Sequence, residues 1–167
     1  QVKPVDTVLS RGLLEGVLML LVATVVFAGL ALWGVPLQLH DPLGVMAALA
    51  GLWLLGLGWG LAASVVTELV PEAGNLLNLL LMPLMLVSGV IFPLSAVPYP
   101  WREWLMWNPV AHGIEGVRAA MSPYYHHVPE LDTDYLLGFA LVLVFLGLAF
   151  GMVGFAAKFV IQWVLEK

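Results

Sequence analysis

Asn108, His112, Glu115 and Arg118 place an amide, an imidazole, a carboxylate and a guanidinium within one short stretch. Offsets of four, seven and ten from Asn108 put them near one stripe of a helix. Asn108 suits the N-cap of that helix, and Pro109 suits its first turn. The spacing of His112, Glu115 and Arg118 permits i,i+3 pairing, which makes it easier to hold charge close to lipid. Two readings fit: a self-neutralised helix at the membrane interface, or a polar rim on a passage or an outer gate. Ser64 or Ser88 with His112 suggests a third, an intramembrane serine hydrolase. Against it stands the commoner arrangement, a serine hydroxyl bonded back to its own helix. His126 and His127 are adjacent, so on a helix they would not share a face. They read as solvated loop residues, and no metal site is expected.

Other chemistries lack their residues. No Gly-x-x-x-x-Gly-Lys-Ser/Thr loop occurs, so the chain cannot cradle ATP phosphates by itself. No His-Glu-x-x-His pair occurs either. With no cysteine, disulfides, thiolate chemistry and cysteine zinc sites are excluded. A formal charge of −5 leaves no basic patch for nucleic acid. The expectation is a chain that is not an enzyme and holds no cofactor of its own.

The elements that must position this polar stretch are membrane helices. The chain is 62% hydrophobic and 10% charged, with a mean hydropathy of +1.00, whereas a soluble domain has about 25% charged residues. Four apolar runs cover Leu13–Trp33, Leu43–Val66, Leu76–Phe92 and Tyr135–Phe159. About 20 apolar residues of helix span a hydrocarbon layer about 30 Å thick. Three runs meet that length. The third is shorter, with Asn75, Asn78 and Pro83 to be placed at an end or against protein. Strict apolar–polar alternation is absent, which excludes a barrel. The fold class expected is all-α: four transmembrane helices plus an outer re-entrant or interfacial helical segment.

Six Lys/Arg residues set the orientation. Lys3 and Arg11 precede the first run, and Lys158 and Lys167 close the last. Four spans put all four on one side, the cytoplasmic one by the positive-inside rule, and leave Arg102 and Arg118 outside. A fifth span at Trp101–Met121 would break that grouping. It would also bury Arg102, Glu103, Glu115 and Arg118, at about 2.5–3.5 kcal/mol for each centrally placed charge. The segment is therefore expected to lie at the outer interface, or to dip in and return. Gly34–Pro42, with Pro36, His40 and Asp41, reads as an outer turn, and Thr67–Gly74 as an inner one. Ser122–Asp134 is the longest polar stretch and reads as an exposed outer loop, where Tyr124, Tyr125, His126 and His127 could dock an adaptor. The opening residues, starting at Gln1, read as the middle of a longer protein.

Gly12/Gly16, Gly56/Gly60 and Gly147/Gly151 are each four apart, a spacing that lets helices approach closely in lipid. Packing within the chain is the plain reading and a dimer contact the sharper one. Trp33, Trp101, Trp104, Trp107 and Tyr135 fall at inferred outer boundaries, as an aromatic belt does. Trp53 and Trp59 lie inside the second run, where they could face lipid, fill gaps or line a passage.

Two passages resemble a known family. One is Val2-Lys3-Pro4-Val5-Asp6-Thr7 with Arg11-Gly12-Leu13-Leu14-Glu15. The other is Ser88-Gly89-Val90-Ile91-Phe92-Pro93-Leu94, then Leu105-Met106-Trp107-Asn108-Pro109-Val110-Ala111-His112-Gly113-Ile114-Glu115-Gly116-Val117-Arg118. Along the whole chain they resemble the membrane subunit of ABC-2 type polysaccharide exporters, above all the capsular polysaccharide export permease of Gram-negative bacteria. O-antigen and teichoic acid exporters are more distant relatives. The resemblance implies six spans, of which this chain holds the last four, as one domain over 1–167 lacking an N-terminal amphipathic helix and two spans. It implies a second copy of the subunit around a central channel, and a separate ATPase subunit holding ATP and Mg. It further implies a glycolipid substrate, and periplasmic adaptor or outer-membrane export proteins beyond. Gln1–Ser10 would be the coupling helix resting on the ATPase, with Lys3, Pro4, Asp6, Thr7 and Arg11 as coupling residues. Pro93–Met121 would be the re-entrant helices closing the channel exit. Gly12 departs from the family's usual run after Arg11 and is a weak helix former.

A glycan cannot enter bare hydrocarbon, but it can slide along aromatic faces in a wet channel. Trp53 and Trp59 are candidate wall residues. Phe92, Pro93, Trp101, Trp104, Trp107, Asn108, His112, Glu115 and Arg118 are candidates for the exit. A scaffold subunit without a passage is the rival from another class.

Overall fold

The computed structural model describes residues 4–34, 39–126, 128 and 130–165. Lys3, Pro36, His127 and Lys167 lie outside the described residues, as do the side chains of Pro4, Lys158 and Phe159. Six α-helices follow in order among the described residues: α1 Pro4–Leu32, α2 Pro42–Leu69, α3 Ala73–Val87, α4 Trp101–Leu105, α5 Pro109–Met121 and α6 Thr133–Leu165, with a 3-10 turn at Leu94–Ala96 before α4. The protein is a multi-pass, all-α membrane protein. Three helices, α1, α2 and α6, are long and apolar enough to cross a bilayer.

The third run differs from its expected extent. Its helix has only 15 residues, about 22 Å at 1.5 Å each, and falls short of the hydrocarbon thickness. It starts before Leu76 and stops well before Phe92. The cause lies at its end, where Gly89 takes φ 75°, a left-handed conformation that glycine adopts without strain. The chain then turns through Pro93 into the 3-10 turn.

α2 is the spine. Val45, Ala48, Gly51, Leu55, Gly58 and Leu61 form its buried stripe, and α6 lies on that stripe. A methyl group added at Gly51 would meet Leu136, at Gly58 it would sit 2.8 Å from the Val144 backbone nitrogen, and at Gly147 it would meet Leu61. These pairings advance together along both helices, so α2 and α6 run parallel. α1 runs the other way, since its Val8, Gly12 and Gly16 meet Gly60, Leu57 and Trp53 in turn. The start of α1 and the end of α6 therefore share a side, as the grouping of cations predicts. Among the expected glycine pairs, Gly12/Gly16 and Gly147 pack within the chain, while Gly56 faces open space.

α5 packs against the first part of α2 in the opposite direction. Gly113 meets Leu52, Gly116 meets Ala48, and the Asp41 backbone N–H donates to the Ala120 carbonyl at 2.9 Å. Leu52 lies ten positions after Pro42, about 15 Å along the axis. The α5 helix thus begins deep beside α2 and runs out to the start of α2. Its 13 residues are too few to cross.

Candidate functional site: the polar clasp

Local sequence builds the start of α5. The Asn108 side-chain oxygen accepts from the Val110 N–H at 3.0 Å, Pro109 fills the first turn, and Asn108 keeps extended backbone angles. The same amide donates to Ser88 Oγ at 3.1 Å. Ser88 donates in turn to the Leu84 carbonyl of its own helix. One amide therefore caps α5 and ties it to the end of α3.

Glu115 is the hub. Its side chain is 1% exposed. Oε1 accepts from the Leu94 backbone N–H at 3.0 Å and from Arg118 Nη1 at 3.0 Å, and Oε2 accepts from the Tyr125 hydroxyl at 2.7 Å. Arg118 also donates to the Val90 carbonyl at 3.1 Å. A buried carboxylate is tolerable only when paired and hydrogen-bonded, and this one holds the turn after α3, the α5 helix and the loop beyond it. The Tyr125 phenol is pushed above its ordinary value, first by burial and then by its bond to the Glu115 carboxylate.

His112 does not join that pairing. Its Nδ1 accepts from the Asp132 backbone N–H at 3.0 Å, so Nε2 carries the proton and donates to the Met106 carbonyl at 2.7 Å. The imidazole is thus a neutral brace between the end of α4 and the start of α6. Its ring lies 4.4 Å from that of Tyr135, centroid to centroid. With both nitrogens engaged, and with Ser88 bound to Leu84 and Asn108, the structure does not form the Ser88–His112 pair that a hydrolase needs. Ser64 bonds back to the Leu61 carbonyl at 2.7 Å.

The stretch expected to be an exposed loop is in fact docked. Val128 and Leu131 are buried with Leu94 and Ala111 in a small core under Leu105 and Met106. Tyr124 and His126 stay exposed, whereas Tyr125 turns in to Glu115. Two apolar residues in a polar stretch are a weak signal, and nothing in their spacing marks the carboxylate that captures Tyr125.

The remaining site residues scatter. Trp53 is half-buried between α1 and α2, and its indole N–H donates to the Gly12 carbonyl at 2.8 Å. Trp59 is exposed, as are Phe92 and Trp101, while Pro93 caps the 3-10 turn. Pro4, Asp6, Thr7 and Arg11 belong to one continuous helix with the first span. Arg11 lines a cleft of about 410 Å³ between α1 and α2 with Glu15, Trp53 and Gly56. Trp104, Trp107 and His112 meet around two clefts with Glu103, Glu130 and Tyr135. Glu103 and Glu130 were not singled out in the sequence as cleft residues, and only the Trp-Arg-Glu-Trp run hints at the first.

The family model for the ABC-2 type transporter matches residues 1–122, the stretch holding α1 to α5 and most of the clasp. The chain belongs to the ABC-2 type transporter family. An ABC-2 permease is the transport component of its assembly. The chain is similar to the polysialic acid transport protein KpsM of Escherichia coli, 36% identical over 151 residues, covering 89% of this chain and 57% of that protein. It is also similar to nodulation protein J of Sinorhizobium fredii (strain NBRC 101917 / NGR234), 33% identical over 115 residues, covering 67% of this chain and 40% of that protein. The chain spans about half the length of the curated relatives it matches.

Proposed function

We propose that this chain is the permease part of an ABC exporter that passes lipid-linked capsular polysaccharide across the bacterial inner membrane. A separate ATPase subunit binds ATP and Mg and drives it, and two copies of the permease enclose the channel. Both ends of the described chain face the cytosol. Family membership and the likeness to a polysialic acid transport protein support the substrate class. The observation that supports the reading is α5, a charged helix that begins deep beside α2 and runs out to the start of α2. Such a segment closes the far mouth of a passage without crossing it.

In this account the ATPase pushes the start of α1. Because α1 is continuous from Pro4 to Leu32, the push moves the whole rod. The Trp53 bond to Gly12 and the Gly12–Leu57 contact pass it to α2, and the Leu52–Gly113 contact passes it to α5. Asp6 and Arg11, both exposed, are the polar contacts at the input. The test is export of surface glycan, and glycan-stimulated ATP hydrolysis, in Asp6→Ala and Arg11→Ala variants that insert normally. Both activities fall in this account. Full export in both variants would remove these residues from coupling.

A further inference from the structure

Beside the clasp, between α4, α5 and the start of α6, lies a cleft of about 540 Å³ lined by Glu103, Met106, Trp107, His112, Glu130 and Tyr135. Glu103 and Trp107 also line a second cleft of about 450 Å³, which Trp104 completes. Trp104 is 76% exposed and Trp107 83%, so their indole faces are open to a ligand. Tyr135 sits against the His112 ring, which fixes a third aromatic surface. This is a wall suited to the apolar C–H faces of sugar rings.

The charge of the wall is one-sided. Glu103 and Glu130 are exposed carboxylates on the cleft. His112 brings no positive charge, because Nδ1 accepts a backbone N–H. Arg118 is turned away to Glu115 and Val90. No lysine or arginine lines either cleft among the described residues. The carboxylates accept hydrogen bonds from sugar hydroxyls and amides. Toward an anionic glycan they present like charge, a repulsion strongest at low salt.

We propose that the Trp104/Trp107 cleft binds an uncharged saccharide unit, rich in hydroxyl or N-acetyl groups, and selects against polyanionic glycans. The inference rests on the exporter reading and narrows its substrate class. Polysialic acid bears a carboxylate on every sugar, so a cleft of this kind would sort the two glycan classes at the outer mouth.

The test is calorimetric titration of the full-length permease, with its ATPase partner, in nanodiscs of uncharged lipid at low salt. The probes are a neutral N-acetylglucosamine tetramer and a sialic acid tetramer. The neutral tetramer is expected to bind more tightly by about tenfold or more, a gap that narrows as salt screens the carboxylates. Trp107→Ala weakens the neutral tetramer by about tenfold, as loss of one stacking face does. Glu103→Gln with Glu130→Gln brings the sialic tetramer to within about twofold of the neutral one. Both positions are exposed, so these changes leave the packing intact. Equal wild-type affinity for the two tetramers, or no effect of Trp107→Ala, would overturn the assignment. A transporter that exports glycan while its cleft fails this test contradicts the cleft alone, whereas absence of ATP-driven glycan export contradicts the exporter reading beneath it.

Discussion

Glu115 holds three partners through two oxygens: the Leu94 N–H, the Arg118 guanidinium and the Tyr125 hydroxyl. Removing one partner leaves charge uncompensated in a nearly solvent-free site, a loss of about 3–5 kcal/mol for a buried pair. Arg118 keeps 26% of its side-chain surface exposed, which places this pair at the lower end. Glu115→Gln and Arg118→Gln should each lower the unfolding midpoint in mild detergent, and the double variant should lose less than the sum. Strict additivity would make them independent. Tyr125→Phe should cost about 1.5–3 kcal/mol, the worth of a hydrogen bond to a charged group. Because the folded state raises the Tyr125 phenol, its contribution is complete below the ordinary tyrosine value of 10.0 and is lost as pH climbs through the raised one. At His112 the bonds fix a single neutral form with the proton on Nε2. Nitrogen-15 spectra of the labelled protein should show a protonated Nε2 and a bare Nδ1 near neutral pH. The opposite pattern would remove the brace.

At the scale of elements, the α2–α6 pair depends on glycine where backbones meet. Gly58→Ala sets a methyl 2.8 Å from the Val144 nitrogen, so the backbone must move, at about 1–3 kcal/mol for overpacking. Gly56→Ala has nothing within 4 Å and should hold or raise thermal stability, since alanine is the better helix former. Equal stability in the two variants would contradict the parallel packing described. Much of this architecture was legible: the long apolar runs, the helix start at Asn108-Pro109, and the return of the charged segment all follow from length, capping and charge. The packing face was less so. The small-residue motif pointed to Gly56/Gly60, while α6 chose Gly51 and Gly58, seven apart, because contact between parallel helices repeats about every two turns. The sharp end of α3 at Ser88 was hidden because hydropathy continues through Ile91 and Phe92 while the backbone turns at Gly89. The docked loop was hidden because burial of Val128 and Leu131 depends on a surface that only the folded α4–α5 corner supplies.

For the whole molecule, everything depends on how the helices are threaded. α1 opposes α2, α6 parallels α2, and α5 runs from depth out to the start of α2. That threading puts Ser10 and Val164 at one face and Tyr124 at the other, the arrangement that the proposed exporter needs if an ATPase is to push one end while α5 closes the opposite mouth. The chain has no cysteine, so none of its own residues competes with a single introduced one. The decisive measurement is labelling of Ser10→Cys, Val164→Cys and Tyr124→Cys by an impermeant thiol reagent, in intact cells and in inverted vesicles. Ser10→Cys and Val164→Cys should react only in inverted vesicles, and Tyr124→Cys only from outside. Reaction of Ser10→Cys and Val164→Cys from opposite sides, or of Tyr124→Cys from the cytosol, would contradict the account.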